Sequence, residues 1–234
     1  MTAFVLELDR PDRANALSAD LVGRLHAGLD RAVAQRAGVL VLRGRGRHFC
    51  GGFDLDDLDG QDDAGLAQRF LRIDLLLERL LEAPFTTVAV VNGSAVGAGA
   101  DLVAACDHRI GTPDVRLRFP GAGFGVVLGT RRLATLVGGE RALALASGES
   151  LNGTEAHWAG LLTASVPATR LEDELERTLA RSVHPAAARG VLRATRAAHD
   201  ADAALADLAR SLAAPGLHDR VVRYARPTSM RSTA

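Results

Sequence analysis

The chain has 234 residues, 47% of them hydrophobic, enough to bury one substantial core with at most a small appended segment. Its 28 Lys plus Arg are cancelled by 28 Asp plus Glu, so no summed field draws it to nucleic acid or to an anionic membrane surface. All of those cations are arginines, and the absence of lysine excludes Schiff-base chemistry, pyridoxal phosphate attachment and a phosphate-loop lysine.

Phe4 to Leu8 reads as a short strand. Ser18 then caps a helix whose apolar face is Leu21, Leu25, Leu29 and Val33, with Gly38 as its end. Val39 to Leu42 is an unbroken aliphatic run of the kind buried on both faces of a parallel sheet. It feeds an irregular glycine loop. The acidic stretch Asp54 to Asp63 reads as a solvated loop, and Leu66, Phe70, Ile73, Leu77 and Leu80 then mark a second helix, stopped before Pro84. Val88 to Val91 is another buried strand. It is followed by a turn over 92–99 and a helix over 100–105. The apolar run 88–106 is interrupted by Asn92, Ser94, Asp101 and three glycines, which argues against a membrane span.

After Ile110 comes a second glycine cluster at 121, 123, 125 and 129. It lacks the strand and distal acid of a dinucleotide loop, and Phe119, Phe124, Val126 and Val127 beside it suit the lining of an acyl pocket. Helical stretches follow over 140–146, 154–159, 170–182, 186–199 and 201–213, and 220–234 reads as a frayed tail. Alternating strands and helices predict an α/β fold, with a catalytic core over 1–170 and a helical segment with its tail over 171–234. Two cysteines are too few for a disulfide framework or a zinc site, and Met1 to Leu8 runs straight into Asp9 and Arg10 without a secretory leader. Cytoplasm is therefore expected.

Two glycine loops leave strands, His48-Phe49-Cys50-Gly51-Gly52-Phe53-Asp54-Leu55 and Asn92-Gly93-Ser94-Ala95-Val96-Gly97-Ala98-Gly99-Ala100-Asp101-Leu102. Their glycines allow a ligand to approach the main chain, and the second loop opens a helix whose first N–H groups favour negative charge. With the Asn15-Ala16-Leu17-Ser18 element before them, and Cys106-Asp107 and Glu155-Ala156 to Gly160-Leu161 after them, the loops resemble the enoyl-CoA hydratase/isomerase (crotonase) family in order and spacing. The resemblance covers roughly Phe4 to Val166.

That resemblance implies a spiral of ββα units (the ClpP/crotonase fold) with a helical C-terminal region, assembled as a homotrimer or as a hexamer of two trimers. It implies an acyl-CoA thioester as substrate and no separate cofactor, coenzyme A being part of the substrate. Carried over position by position, it makes the backbone N–H groups of Phe53 and Ala98 an oxyanion hole. It sets Arg13, Ala14, Gly51, Gly52, Leu55, Gly97, Gly121 and Phe124 along the substrate and coenzyme A surface. Asp101 falls at the first of the two catalytic carboxylates of the hydratases, where the family pattern has Glu. The second position, after Pro120, holds Gly121 instead of an acid.

Hydration needs a base for the water and an acid for the α-carbon, so Asp101 alone suits an isomerase proton shuttle or a specialised hydratase, dehydratase or decarboxylase. The departure also leaves open a catalytically weak homologue that binds acyl-CoA or a protein partner. Asp107 is expected to be structural, His48 and His108 to be hydrogen-bonded, and Cys50 to serve packing. Gly93-Ser94-Ala95-Val96-Gly97 lacks the centred serine of a nucleophile elbow, which excludes serine-hydrolase chemistry. No metal site is expected.

Overall fold

The computed structural model describes residues 3–56, 58–180, 185–196 and 199–226. In chain order these form β1 (Ala3–Leu8), α1 (Ala19–Ala34), β2 (Val39–Gly44), α2 (Asp63–Leu81), β3 (Thr86–Val91), β4 (Ala95–Val96), α3 (Ala98–Ala105), β5 (His108–Gly111) and β6 (Arg116–Arg118). There follow α4 (Thr130–Val137), α5 (Gly139–Ala146), β7 (Ser150–Asn152), α6 (Gly153–Trp158), β8 (Ala164–Ser165), α7 (Leu171–Ala180), α8 (Pro185–Arg196), α9 (Ala201–Ala213) and α10 (Leu217–Ala225).

The main sheet runs β1-β2-β3-β5-β8, with every neighbouring pair parallel. Alternation along β2 explains its all-aliphatic sequence. Leu40 and Leu42 face the large core with α1 and α2, whereas Val39 and Val41 pack with Val88, Val90 and Ile110 against Leu171 and Leu175 of α7. Fully burying each such side chain contributes about 1.5–3 kcal/mol. A smaller sheet, β4-β6-β7, which the sequence pattern does not reveal, stands apart and carries the turn into α3.

Ser18 caps α1 by accepting from the Leu21 N–H, as expected. Its buried face, however, is Leu21, Val22, Leu25, Gly28, Leu29 and Ala32, while Val33 is 49% exposed. A four-residue step overshoots the helical turn by about 40°, so a stripe drawn at that spacing rotates out of the core within three steps. The helix also stops at Ala34, before Gly38, because Arg36 takes a left-handed conformation (φ 51°).

The acidic stretch from Asp54 is a loop with Asp56, Asp59, Asp62 and Asp63 exposed, as expected, but parts of it are tied into the fold. Asp54 and Leu58 are buried, Asp62 caps α2 through the Gly65 N–H, and the Asp63 carboxylate accepts from the N–H groups of Leu217 and His218. Those last two bonds fasten the start of α10, which occupies 217–225 and so makes a helix of 220–225, the first part of the expected frayed tail. Leu208, Leu212, Leu217 and Val221 of α9 and α10 are buried in the main core. The rest of the expected tail, 227–234, lies outside the described residues. Among the described residues no helix is long and apolar enough to cross a membrane, and the run 88–106 comprises β3, a turn and the short buried helix α3.

Candidate active site

β2 and β3 are adjacent parallel strands, so the turns leaving their carboxyl ends rise from the same edge of the sheet. Main-chain bonds clamp them together. The N–H groups of Phe49 and Cys50 both donate to the Ser94 carbonyl (3.1 and 3.2 Å), and the Val96 N–H donates to the Cys50 carbonyl (2.9 Å).

Asn15 holds the first turn from beneath. It is fully buried, and its Nδ2 donates to the carbonyls of Arg45, His48 and Phe49 at 2.9, 2.8 and 3.2 Å while its Oδ1 accepts from the Arg10 N–H. The Cys50 thiol donates to the Asn15 carbonyl, and burial pushes that thiol up to about 12, so Cys50 is a packing group and no nucleophile. Asn15→Ala leaves buried carbonyls without donors and is expected to destabilise the fold by roughly 3 kcal/mol in denaturant unfolding. Stability within about 0.5 kcal/mol of the parent would show that Asn15 does not hold the turn.

Gly52 sits at φ 91°, and a Cβ there would lie 2.4 Å from the Val96 carbonyl oxygen and 3.5 Å from the Ala98 amide nitrogen. Only glycine lets the two turns approach this closely. Gly97, at φ 53° and ψ −126°, turns the chain into α3 and donates to the Arg118 carbonyl of β6. Around Phe53 the backbone is strand-like: the Gly52 carbonyl accepts from Leu17 and the Asp54 N–H donates back to Leu17. The N–H of Phe53 itself therefore points to the opposite side. Ala98 is the first residue of α3, where the N–H has no partner within the helix. Neither amide donates to another described residue, and both residues line one cavity of about 110 Å³.

Asp101 follows Ala98 by three positions, on the same side of α3, and lines the same cavity at 7% exposure. Burial raises its carboxyl to about 7; the Gly129 amide works against that rise and the charge of Asp74 adds to it. A Cβ on Gly129 would lie 2.3 Å from Asp101 Oδ1, so the carboxylate is packed directly on this backbone. Gly121 also lines the cavity, in a single turn of 3₁₀ helix over Pro120–Phe124. A Cβ at Gly121 would stand 2.9 Å from the Val126 carbonyl oxygen, so the missing carboxylate could not be restored without moving the main chain.

The cavity wall is aromatic. Phe53 stacks on Phe70 (4.2 Å between centroids), Phe70 lies 6.4 Å from Phe124, and Phe124 lies 4.7 Å from Tyr224 of α10. The Arg69 guanidinium covers the other side of Phe53 at 4.2 Å. Asp54 anchors the turn below it through Arg10, at 2.7 Å. Burial acts most strongly, to raise the Asp54 carboxyl, but the bond to Arg10, the Asp56 amide and the charges of Arg10 and Arg69 together outweigh it and hold it below the usual range.

Of the residues singled out from sequence, Gly51, Gly52, Phe53, Leu55, Gly97, Ala98, Asp101, Phe119, Gly121, Phe124 and Val126 line this cavity. Val127 does not; its amide donates to Ser211 Oγ. Arg13 and Ala14 lie outside it as well. Arg13 is an exposed partner of Asp56 at 2.7 Å, and the Ala14 carbonyl accepts from the Gly51 N–H. Asp107 is structural, accepting from both the N–H and the hydroxyl of Thr87 and from Arg196. Sequence reading missed Gly129 and Tyr224 as wall residues and took Phe70 for core alone. The spacing of Leu217, Val221 and Tyr224 is the helical signal that would have exposed the second of these. Among the described residues no three His, Cys, Asp or Glu side chains are grouped to hold a metal ion.

Residues 2–217 match the family model described as enoyl-CoA hydratase/isomerase. A probable enoyl-CoA hydratase (echA6) of Mycobacterium tuberculosis is 38% identical over 145 residues, which are 61% of this chain and 58% of that relative. A probable enoyl-CoA hydratase of Bacillus subtilis is 36% identical over 68% of this chain and 64% of its own length. The chain thus spans less than two thirds of either relative. Among solved structures, a putative enoyl-CoA hydratase/isomerase from Bordetella parapertussis superposes with a TM-score of 0.88 at 37% identity, covering 97% of this chain and 95% of that one. An enoyl-CoA hydratase from Bacillus anthracis gives 0.78 at 27% identity, over 94% and 87%.

Proposed function

Because this chain belongs to the enoyl-CoA hydratase/isomerase family and has its crotonase fold, we propose that it is an enzyme acting on an acyl-CoA thioester through an enolate. The single observation that carries the reading is the pair of unengaged amides, Phe53 and Ala98, on one cavity with a buried carboxyl one helical turn away. The thioester oxygen accepts from both amides and takes up charge as the α-carbon is deprotonated. Asp101 breaks the C–H bond, its oxygen gains the proton, and the electron pair moves through the new C=C bond onto the thioester oxygen. A carboxyl poised at about 7 suits both steps of such a shuttle, since comparable fractions are ionised and protonated near neutrality.

Returning the proton to the γ-carbon isomerises an enoyl group; accepting one from a water that attacks the β-carbon, then giving it to the α-carbon of the resulting enolate, hydrates it. Gly121 favours the shuttle, because among the described residues only Asp101 offers a carboxyl within the cavity. No cofactor is required, coenzyme A entering as part of the substrate. We place the protein in the cytoplasm, assembled as a trimer or a pair of trimers.

A panel of CoA thioesters tests this reading. Conjugated enoyl absorbance should fall with 2-enoyl substrates or rise with 3-enoyl substrates, and saturated acyl-CoA should exchange its α-protons in heavy water. Tight acyl-CoA binding with none of these signals above background would make the chain a binding protein instead.

A further inference from the structure

Asp101 borders a second, smaller cavity as well as the acyl cavity. The charged groups on its walls are Asp74 and Glu78 of α2, Arg132 of α4, and His199 from the turn before α9. Its volume of about 10 Å³ gives room for about one water molecule. Asp74 is 5% exposed, the His199 side chain 8% and the Glu78 side chain 17%, so exposure to solvent increases towards Glu78. His199 Nε2 lies 2.8 and 3.0 Å from the two Glu78 carboxylate oxygens. Its Nδ1 is buried with no hydrogen-bond partner among the described residues. Arg132 is turned to the Ala104 carbonyl, and beyond it Arg196 and Asp107 neutralise each other.

A structural ion pair would leave neither a water-sized void beside a buried carboxyl nor an imidazole nitrogen without a partner. We propose that the cluster is a proton relay, in which one water links Asp101 to His199 and the ring of His199 passes the proton to Glu78 and solvent. The inference rests on the reading of Asp101 as the acid/base group. Once Asp101 has taken a proton from substrate, it gives that proton to the water, and the water gives one of its own to His199 Nδ1. The Nε2 proton then leaves for Glu78, and Glu78 releases it to bulk water, so no charge accumulates. Asp74 completes the cavity. Burial first, and then the charge of Glu78, raises its carboxyl to about 6, and its negative charge helps to keep Asp101 high. His199, Glu78 and Asp74 are thus positioning residues acting through Asp101.

The test measures α-proton exchange of a saturated acyl-CoA in heavy water, by NMR across pH, on the full chain. His199→Gln should slow exchange about tenfold while acyl-CoA affinity stays within about twofold. Glu78→Gln keeps a hydrogen bond to the ring but is a poor proton acceptor, and it should show the same loss, so the result does not hang on one variant folding. Asp74→Asn removes the neighbouring charge, lowers the Asp101 pKa, and should move the acid limb of the profile to lower pH. Exchange at the parent rate in His199→Gln and Glu78→Gln, with Asp101→Asn inactive, would overturn the relay alone. Exchange retained in Asp101→Asn would overturn the reading of Asp101 and the relay with it.

Discussion

Asp101→Asn is expected to lower turnover of enoyl-CoA by about 10²–10⁴-fold while acyl-CoA affinity stays within about twofold. Asn keeps the shape and a hydrogen-bonding oxygen but cannot take a proton, and with Gly121 no other carboxyl among the described residues lines the cavity to stand in. With the ionised form as the proposed base of the parent protein, activity should fall with an acid limb near pH 7, where burial has placed the Asp101 carboxyl. Stability supplies a control of opposite sign. A carboxyl raised from its ordinary value of 3.8 to about 7 contributes stability below the unfolded pKa that is lost as pH climbs through 7. The Asn variant escapes that loss and should unfold at a higher denaturant concentration than the parent at pH 8. Unchanged turnover would remove Asp101 from the chemistry; a large loss of affinity would mean that it binds the ligand instead.

Gly52→Val is expected to cost roughly 10²–10³ in kcat through the misplaced amide next to it. A side chain there would be driven into the Val96 carbonyl, and φ 91° is closed to β-branched residues. The turn must shift, and the Phe53 N–H moves with it while Asp101 is left in place. Acyl-CoA binding should therefore weaken far less than turnover. Gly139→Ala serves as control, since a Cβ at Gly139 meets nothing within 4 Å and its backbone is unstrained. Parent-level kcat in a folded Gly52→Val protein would mean that the Phe53 amide takes no part in the reaction.

The parallel sheet was legible because β2 and β3 are aliphatic on both faces, a pattern that only two-sided burial rewards. The two glycine turns were legible because their positive φ angles and close approach exclude other residues at Gly52 and Gly97. The helices of the C-terminal third before α10 declared themselves by period, α9 to the residue at both ends. Less visible was whatever depends on contacts distant in sequence. The small sheet has strands of two and three residues, too short for any alternation to show. α10 is short and polar, and it stands because Asp63 caps it and the core receives Leu217 and Val221. Arg13 carried a family position but no local physics that could tell a ligand contact from the ion pair it makes with Asp56. Asp74 and His199 read as an ordinary helix residue and a loop histidine until folding set them beside Asp101.

Strands β1 to β3 and both amide turns draw on residues before β5, whereas Tyr224, at the far end of the aromatic wall, comes from α10. During synthesis on a ribosome the two backbone turns would consequently be assembled before the cavity wall is complete. A nascent polypeptide halted after α9 would lack only Tyr224 from the wall beside the Phe53 and Ala98 amides, so the enclosure is completed by the last described helix to emerge.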